Sequence, residues 1–201
     1  MNKTPLFVTG IGTNIGKTIV SAVLVQHLEA DYWKPVQAGD LHYTDSDQIR
    51  LLVSNETSIV HPEQFLLKLA ASPHKAARQE GIEIAITDFV LPQTENQLVI
   101  EGAGGLYVPL SDSFYMIDLI EQFEAEAVLV VRNYLGCINH TLLSLHALKS
   151  RDIPLKHVAF NGSFDEDTLN IIMDNLPTET TTFALTEFQA INRKAIIDAM
   201  H

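Results

Sequence analysis

One cysteine, one tryptophan and 13 Lys+Arg against 25 Asp+Glu leave this 201-residue chain poor in three kinds of chemistry. A lone Cys137 cannot form an internal disulfide, which fits a reducing compartment. The formal charge of 13 − 25 = −12, with the basic residues scattered, gives no concentrated positive surface for DNA, RNA or anionic lipid. No stretch approaches the roughly 20 apolar residues that span a bilayer. The Leu6-Phe7-Val8 run is too short for a secretory signal and leads to glycines rather than a cleavage site. The chain therefore reads as soluble and cytoplasmic. Eight histidines show no His-Glu-x-x-His pattern and no pair four residues apart, so transition-metal chemistry is not expected. Internal repeats and linkers are also missing.

What is present is enough apolar material for a sizeable core, 46% of residues, in a length that suits one domain over residues 1–201. Short β-branched runs alternate with segments of helical period, the pattern of a parallel sheet covered by helices on both faces. Strands are predicted at 6–9, 32–36, 98–101, 128–131, 157–160 and 181–185. Helices are predicted at 17–28, 46–53, 73–79, 84–90, 114–123, 139–150, 166–175 and 189–200. Ligands of such sheets gather at the carboxyl ends of the strands. The residues with chemical character fall there.

The strongest signal is Gly10-Ile-Gly-Thr-Asn-Ile-Gly-Lys-Thr18, a glycine-rich turn that leaves a buried strand and opens a helix. Glycines let backbone N–H groups approach a phosphate, the helix N-terminus adds its positive end, Lys17 supplies a cation and Thr18 offers a hydroxyl to Mg²⁺. The spacing is one residue longer than the usual phosphate loop. A bound nucleotide brings Mg²⁺, which takes hard oxygen ligands, and three acids are placed to supply them. Glu101 closes the strand Leu98-Val-Ile-Glu101, while Asp45 and Asp47 flank Ser46 at a helix start, where capping is the competing explanation. Lys34, at a strand end before Pro35, reads as a fixed cation facing the cleft. Gly136-Cys-Ile-Asn-His140 opens a helix whose N–H groups could hold a carboxylate.

Taken together, Gly10 to Thr18, Lys34-Pro-Val-Gln-Ala-Gly39, Ser46-Asp47, Ser72-Pro-His74, Glu101-Gly-Ala-Gly-Gly105, Val108-Pro-Leu110 and Leu135-Gly-Cys-Ile-Asn-His140 resemble the dethiobiotin synthetase family of P-loop enzymes over nearly the whole chain. The resemblance implies an ATP-dependent ligase of biotin synthesis that joins 7,8-diaminononanoate and CO₂ into a cyclic urea. It also implies a homodimer with a shared active site. By carry-over, Lys17, Lys34 and Thr13 serve catalysis. Gly12, Thr13, Asn14, Ile15, Gly16, Lys17, Thr18, Glu101 and Asn161 bind nucleotide, with Asn161 reading adenine. Thr18, Asp47 and Glu101 hold Mg²⁺. Lys34, Ala38, Gly136, Cys137, Ile138 and Asn139 bind substrate, the last four from the partner subunit. Ala38 stands where many relatives carry a hydroxyl, Asn14 replaces a common acidic residue, and the family's proline-containing segment is not recognisable in 184–188.

Two rivals share the phosphate loop. A cobyrinate diamide synthase-like ligase module usually brings a glutaminase domain, for which 201 residues leave no space. A partitioning or division-site ATPase switch carries a second lysine in the loop, and nothing between Gly10 and Lys17 is basic.

Overall fold

A computed structural model describes residues 3–188 and 190–199. Six strands form one parallel sheet: β1 (Leu6–Gly10), β2 (Asp31–Trp33), β5 (Leu98–Gly105), β6 (Glu126–Arg132), β7 (Leu155–Asn161) and β8 (Thr181–Leu185). Their order across the sheet is β2-β5-β1-β6-β7-β8. The two strands carrying Gly10 and Glu101 are thus neighbours, with Val8 in register with Glu101. β1 is buried along its whole length, as expected of a central parallel strand covered on both faces.

Alternation along β1 sends Leu6 and Val8 into one apolar layer and Phe7 into the other. The first layer is covered by α1 (Lys17–Leu28), α2 (Asp45–Leu52) and α7 (Arg193–Asp198), which pack on one another. It gathers Val20, Val23, Ile49 and Ile196 against Val8, Val128 and Val130. The second layer sets Phe7, Trp33 and Ile100 against Ala76 of α3 (Pro73–Glu80), Ile117 of α4 (Met116–Gln122) and Leu148 of α5 (Cys137–Ser150). α6 (Glu166–Met173) joins β7 to β8. Among the described residues no helix is long and apolar enough to cross a membrane.

The strand expected at 32–36 is broken in two. Pro35 has no N–H to give a ladder, and its carbonyl instead accepts from the N–H groups of Gln64 and Phe65. The chain leaves the main sheet there, and β3 (Val36–Ala38) pairs in parallel with β4 (Phe65–Leu67), a three-residue strand with no expectation behind it. The break places Lys34 at the carboxyl edge of the main sheet. The helix expected at 84–90 is a single 3₁₀ turn, Ile86–Asp88. Asp88 accepts from the Ala85 N–H and closes the turn, while Ile84 and Phe89 are buried as separate plugs rather than as one helical stripe. The helix expected at 189–200 is observed as α7, and the end residues Gln189 and Met200 of that expectation lie outside the described residues.

Asp31, fully buried at the start of β2, anchors the outer edge of the sheet. It accepts from the Ile59 N–H, the Asn96 amide and the His61 ring at 2.9–3.0 Å. Burial alone would raise its pKa, but these donors outweigh it and hold the carboxyl below its usual value.

Candidate active site

The glycine-rich turn begins at the end of β1 and ends at Gly16, whose φ of 93° is left-handed and caps α1. A side chain at Gly16 would be strained by that backbone and would also collide with Asn161, whose Nδ2 lies 2.1 Å from where a Cβ would sit. Asn161, ending β7, donates that amide to the Ile15 carbonyl at 2.7 Å, so a strand two places along the sheet props the loop. Asn14 adopts φ 58°, a conformation that asparagine tolerates better than other non-glycine residues. That backbone requirement gives a local reason for asparagine at this position.

α1 then carries Lys17 and Thr18 into the cleft. The Lys17 ammonium folds over the loop to the Gly12 carbonyl at 3.2 Å. Burial pushes its pKa down and Glu101 only partly opposes this, so the ammonium is short of counter-charge. A phosphate held by the loop would supply it.

Glu101 is the hub, 1% exposed. Its Oε1 accepts from the Thr18 hydroxyl and the Lys34 ammonium, both at 3.0 Å, and its Oε2 accepts from the Tyr32 phenol at 2.9 Å. Burial raises the Tyr32 phenol well above its usual pKa, with the Glu101 charge adding to it, so Tyr32 remains a donor. Lys34 also pairs with Asp45. Burial would lower the Lys34 pKa, but the two carboxylates outweigh it and the net direction is up, which keeps the ammonium charged.

Asp45 and Asp47 part company at this point. Thr44 caps α2 by accepting from the Asp47 N–H, and the Asp47 carboxylate returns to the Thr44 N–H, a reciprocal capping box. Its other oxygen pairs with Arg50 at the surface. Asp47, the expected Mg²⁺ ligand, therefore turns away from the cleft. Asp45, on the first turn of the same helix, faces it. Gln37 of β3 fixes this end of α2: its amide donates to the Gly39 carbonyl at 3.0 Å and its oxygen accepts from the Asp45 N–H at 3.5 Å.

These groups line a cleft of about 1070 Å³. Thr13, Asn14, Gly16, Lys17, Thr18, Lys34, Ala38, Glu101 and Asn161 all border it, while Gly12 and Ile15 contribute through the carbonyls just described. Gly136, Cys137, Ile138 and Asn139 do not border it. They open α5 beyond β6, with Gly136 in the left-handed region and the Cys137 N–H bonded to the Tyr134 carbonyl. The N–H groups of Ile138 and Asn139 make no backbone hydrogen bond among the described residues. Arg132, Glu187, Phe188 and Ile191 border the cleft without any expectation from the sequence. None of them carried a sequence signal: Arg132, for one, faces Asn161 in strand register, which is invisible until the strands are paired.

The oxygen set fits a hard divalent cation. Thr18, Glu101 and Asp45 bring one hydroxyl and two carboxylates to one wall, and among the described residues no three His, Cys, Asp or Glu side chains cluster as a closed cage. That is the donor set expected where phosphate oxygens complete the shell of Mg²⁺.

A family model for an AAA domain matches residues 4–198. The ATP-dependent dethiobiotin synthetase BioD of Cytophaga hutchinsonii is 54% identical over 168 residues, covering 83% of this chain and 81% of that protein. The protein of the same name from Christiangramia forsetii is 51% identical over 156 residues, 78% of this chain and 75% of its own. That of Brucella ovis is 45% identical over 193 residues, 96% of this chain and 86% of its own. With relatives of this identity matched over most of both chains, the chain belongs to the ATP-dependent dethiobiotin synthetase family.

Proposed function

We propose that this protein closes 7,8-diaminononanoate and CO₂ into dethiobiotin at the expense of ATP. The observation that carries the reading is the buried Thr18–Glu101–Lys34 triple set directly beside the phosphate loop. A fixed cation and a carboxylate beside that loop support phosphoryl transfer there.

The reaction needs little covalent help. One amine of the diamine adds to CO₂ and loses a proton to give a carbamate. A carbamate oxygen takes the γ-phosphoryl group and ADP leaves. The second amine attacks the activated carbonyl, phosphate departs, and a proton is lost as the cyclic urea forms. Every intermediate before ring closure is an anion, so fixed positive charge and alignment supply the acceleration. Lys17 and the loop N–H groups hold the triphosphate, Thr13 contacts phosphate, and Lys34 meets the carbamate and the transferring group. Ala38 borders the diamine's part of the cleft. Thr18, Glu101 and Asp45 would hold Mg²⁺, which when bound offsets charge on the transferring phosphoryl group.

The opening turn of α5, Gly136 to Asn139, fits the same scheme from a second subunit. Its free N–H groups suit the distal carboxylate of the substrate, yet in its own protomer it lies outside the cleft. Tyr107, Leu135 and Leu143 are exposed around it, Leu135 completely, which supports a homodimer that covers them.

Purified protein with Mg-ATP and bicarbonate should release phosphate only when the diamine is added. Release that ignores the diamine and responds to a protein or membrane partner would favour the ATPase-switch reading instead. The choice of acid is tested separately. Asp45→Asn should raise the Mg²⁺ concentration for half-maximal turnover about tenfold or more. Asp47→Asn should leave that requirement alone and lower thermal stability slightly through the weakened cap. The reverse pattern would return Asp47 to the metal.

A further inference from the structure

The three donors that hold Glu101 stand in different places. Thr18 and Lys34, which both donate to Oε1, border the cleft, whereas Tyr32, which donates to Oε2 at 2.9 Å, does not border it and is fully buried. Strand pairing puts it there. Tyr32 lies in register with Val99 across the β2–β5 pair, and Glu101 is two residues further along β5, so both side chains point to the same face of the sheet. That face is the layer covered by α1, where Tyr32 joins Val8, Val99 and Ile49 in one apolar cluster. The phenol thus reaches diagonally from the neighbouring strand to the buried side of the carboxylate. A phenylalanine would supply the same apolar ring. The hydroxyl has one partner among the described residues, and that partner is Glu101.

The difference matters when a cation binds. A divalent ion drawn to Oε1 repels the Lys34 ammonium and takes up a lone pair of the Thr18 hydroxyl, so both donors on that oxygen weaken together. Tyr32 holds the other oxygen, away from the cleft. We propose that Tyr32 is a positioning residue for the metal: by engaging Oε2 it fixes the rotation of the Glu101 carboxylate and presents Oε1 alone to Mg²⁺ beside Thr18. Without the hydroxyl, Oε2 is left in the interior with no donor, the carboxylate turns, and the cation loses a ligand held in place in advance. This inference rests on the Mg²⁺ reading of Thr18 and Glu101 but not on which molecule is phosphorylated.

The test is displacement of a fluorescent, ribose-labelled ATP by unlabelled ATP, in Mg²⁺ and in EDTA and with no diamine present, for the wild type and for Tyr32→Phe. Mg²⁺ should tighten ATP binding to the wild type. The variant should keep the metal-free affinity and lose about tenfold or more in its affinity for Mg-ATP. A hydroxyl that served only the fold would move the melting temperature and spare that difference. Wild-type affinity for Mg-ATP in the variant would remove Tyr32 from its role and leave the Mg²⁺ reading standing, and an equal loss in EDTA would overturn the assignment as well. Were Mg²⁺ to leave ATP binding to the wild type unchanged, the Mg²⁺ reading and this inference would fall together. Because the variant strands Oε2 in the interior and can fail to fold, a crystal structure of the wild type with Mn²⁺ and a non-hydrolysable ATP analogue provides a second reading. The cation should sit on Oε1 with the Tyr32 hydroxyl still on Oε2. Both carboxylate oxygens on the cation, or a Tyr32 hydroxyl detached from Glu101, would overturn the assignment.

Discussion

Replacing Lys34 by methionine lowers turnover by about a hundredfold to a thousandfold and also weakens the fold, by about 3 kcal/mol. The two losses have different origins. Lys34 donates to Glu101 at 3.0 Å and pairs with Asp45, so its removal strands a carboxylate that is 1% exposed with only Thr18 and Tyr32 as donors. An uncompensated buried charge accounts for the stability cost. The catalytic loss comes from taking away the ammonium held beside the position of phosphoryl transfer. The double variant Lys34→Met with Glu101→Gln separates them, because it removes the stranded charge without restoring the cation. Its thermal stability should recover most of what the single variant lost, while turnover stays at the single-variant level or below. Recovery of turnover in the double variant would show that Lys34 acts only by neutralising Glu101.

Gly16→Ala has the second large effect, a fall in ATP affinity of about a hundredfold or more. Two costs combine at this position. The backbone sits at φ 93°, where a Cβ is strained by about 1–3 kcal/mol, and that Cβ would also lie 2.1 Å from the Asn161 amide nitrogen. Either the loop shifts away from its phosphate-binding shape or Asn161 lets go of the Ile15 carbonyl. Adding Asn161→Ala to Gly16→Ala removes the collision and leaves the strain, so nucleotide affinity should return only in part. Titration with ATP while following intrinsic or label fluorescence reads both steps. Wild-type affinity in Gly16→Ala would mean that phosphate binding does not need the left-handed turn at Gly16.

How much of the fold and the site can be read from the chain alone depends on whether a residue's role is set locally. The Gly10 to Thr18 turn is legible because strand, glycines and helix follow each other in sequence, and Glu101 is legible because a charge within a buried apolar run is unusual, although β5 continues through it to Gly105 rather than closing there. Lys34 is half legible: Pro35 marks an interruption, but only the pairing of β3 with β4 shows the chain leaving the main sheet and turning Lys34 to Glu101. Asp45 and Asp47 are two residues apart, about 200° around a helix, so only one can face the cleft. Which one does is decided by the Thr44 cap, a hydrogen bond that the motif alone cannot distinguish from metal ligation. The 84–90 segment misleads because Ile84, Ile86 and Phe89 look like a helical stripe, whereas they are spaced to drop singly into the core around one turn. Glu187 and Phe188 had no local signal at all. Their place in the cleft comes from β8 pairing with β7, which brings Leu185 beside Asn161.

The placement of the α5 turn outside its own protomer's cleft is the other feature that a single chain does not explain. Leu135 stands fully exposed next to it, and the N–H groups of Ile138 and Asn139, without backbone partners among the described residues, lie away from the cleft that holds Lys34. The proposed homodimer, in which a partner's turn would reach the cleft, would account for both.

The central claim is that a triphosphate sits on the Gly12 to Thr18 amides with a divalent cation between it and the Thr18, Asp45 and Glu101 oxygens. A crystal structure of the protein with Mg²⁺ and a non-hydrolysable ATP analogue tests it directly. The account predicts phosphate oxygens on those amides and on Lys17, the cation against Thr18 and Glu101, and the base beside Asn161. Triphosphate bound elsewhere, or Glu101 and Asp45 both turned away from it, would contradict the account.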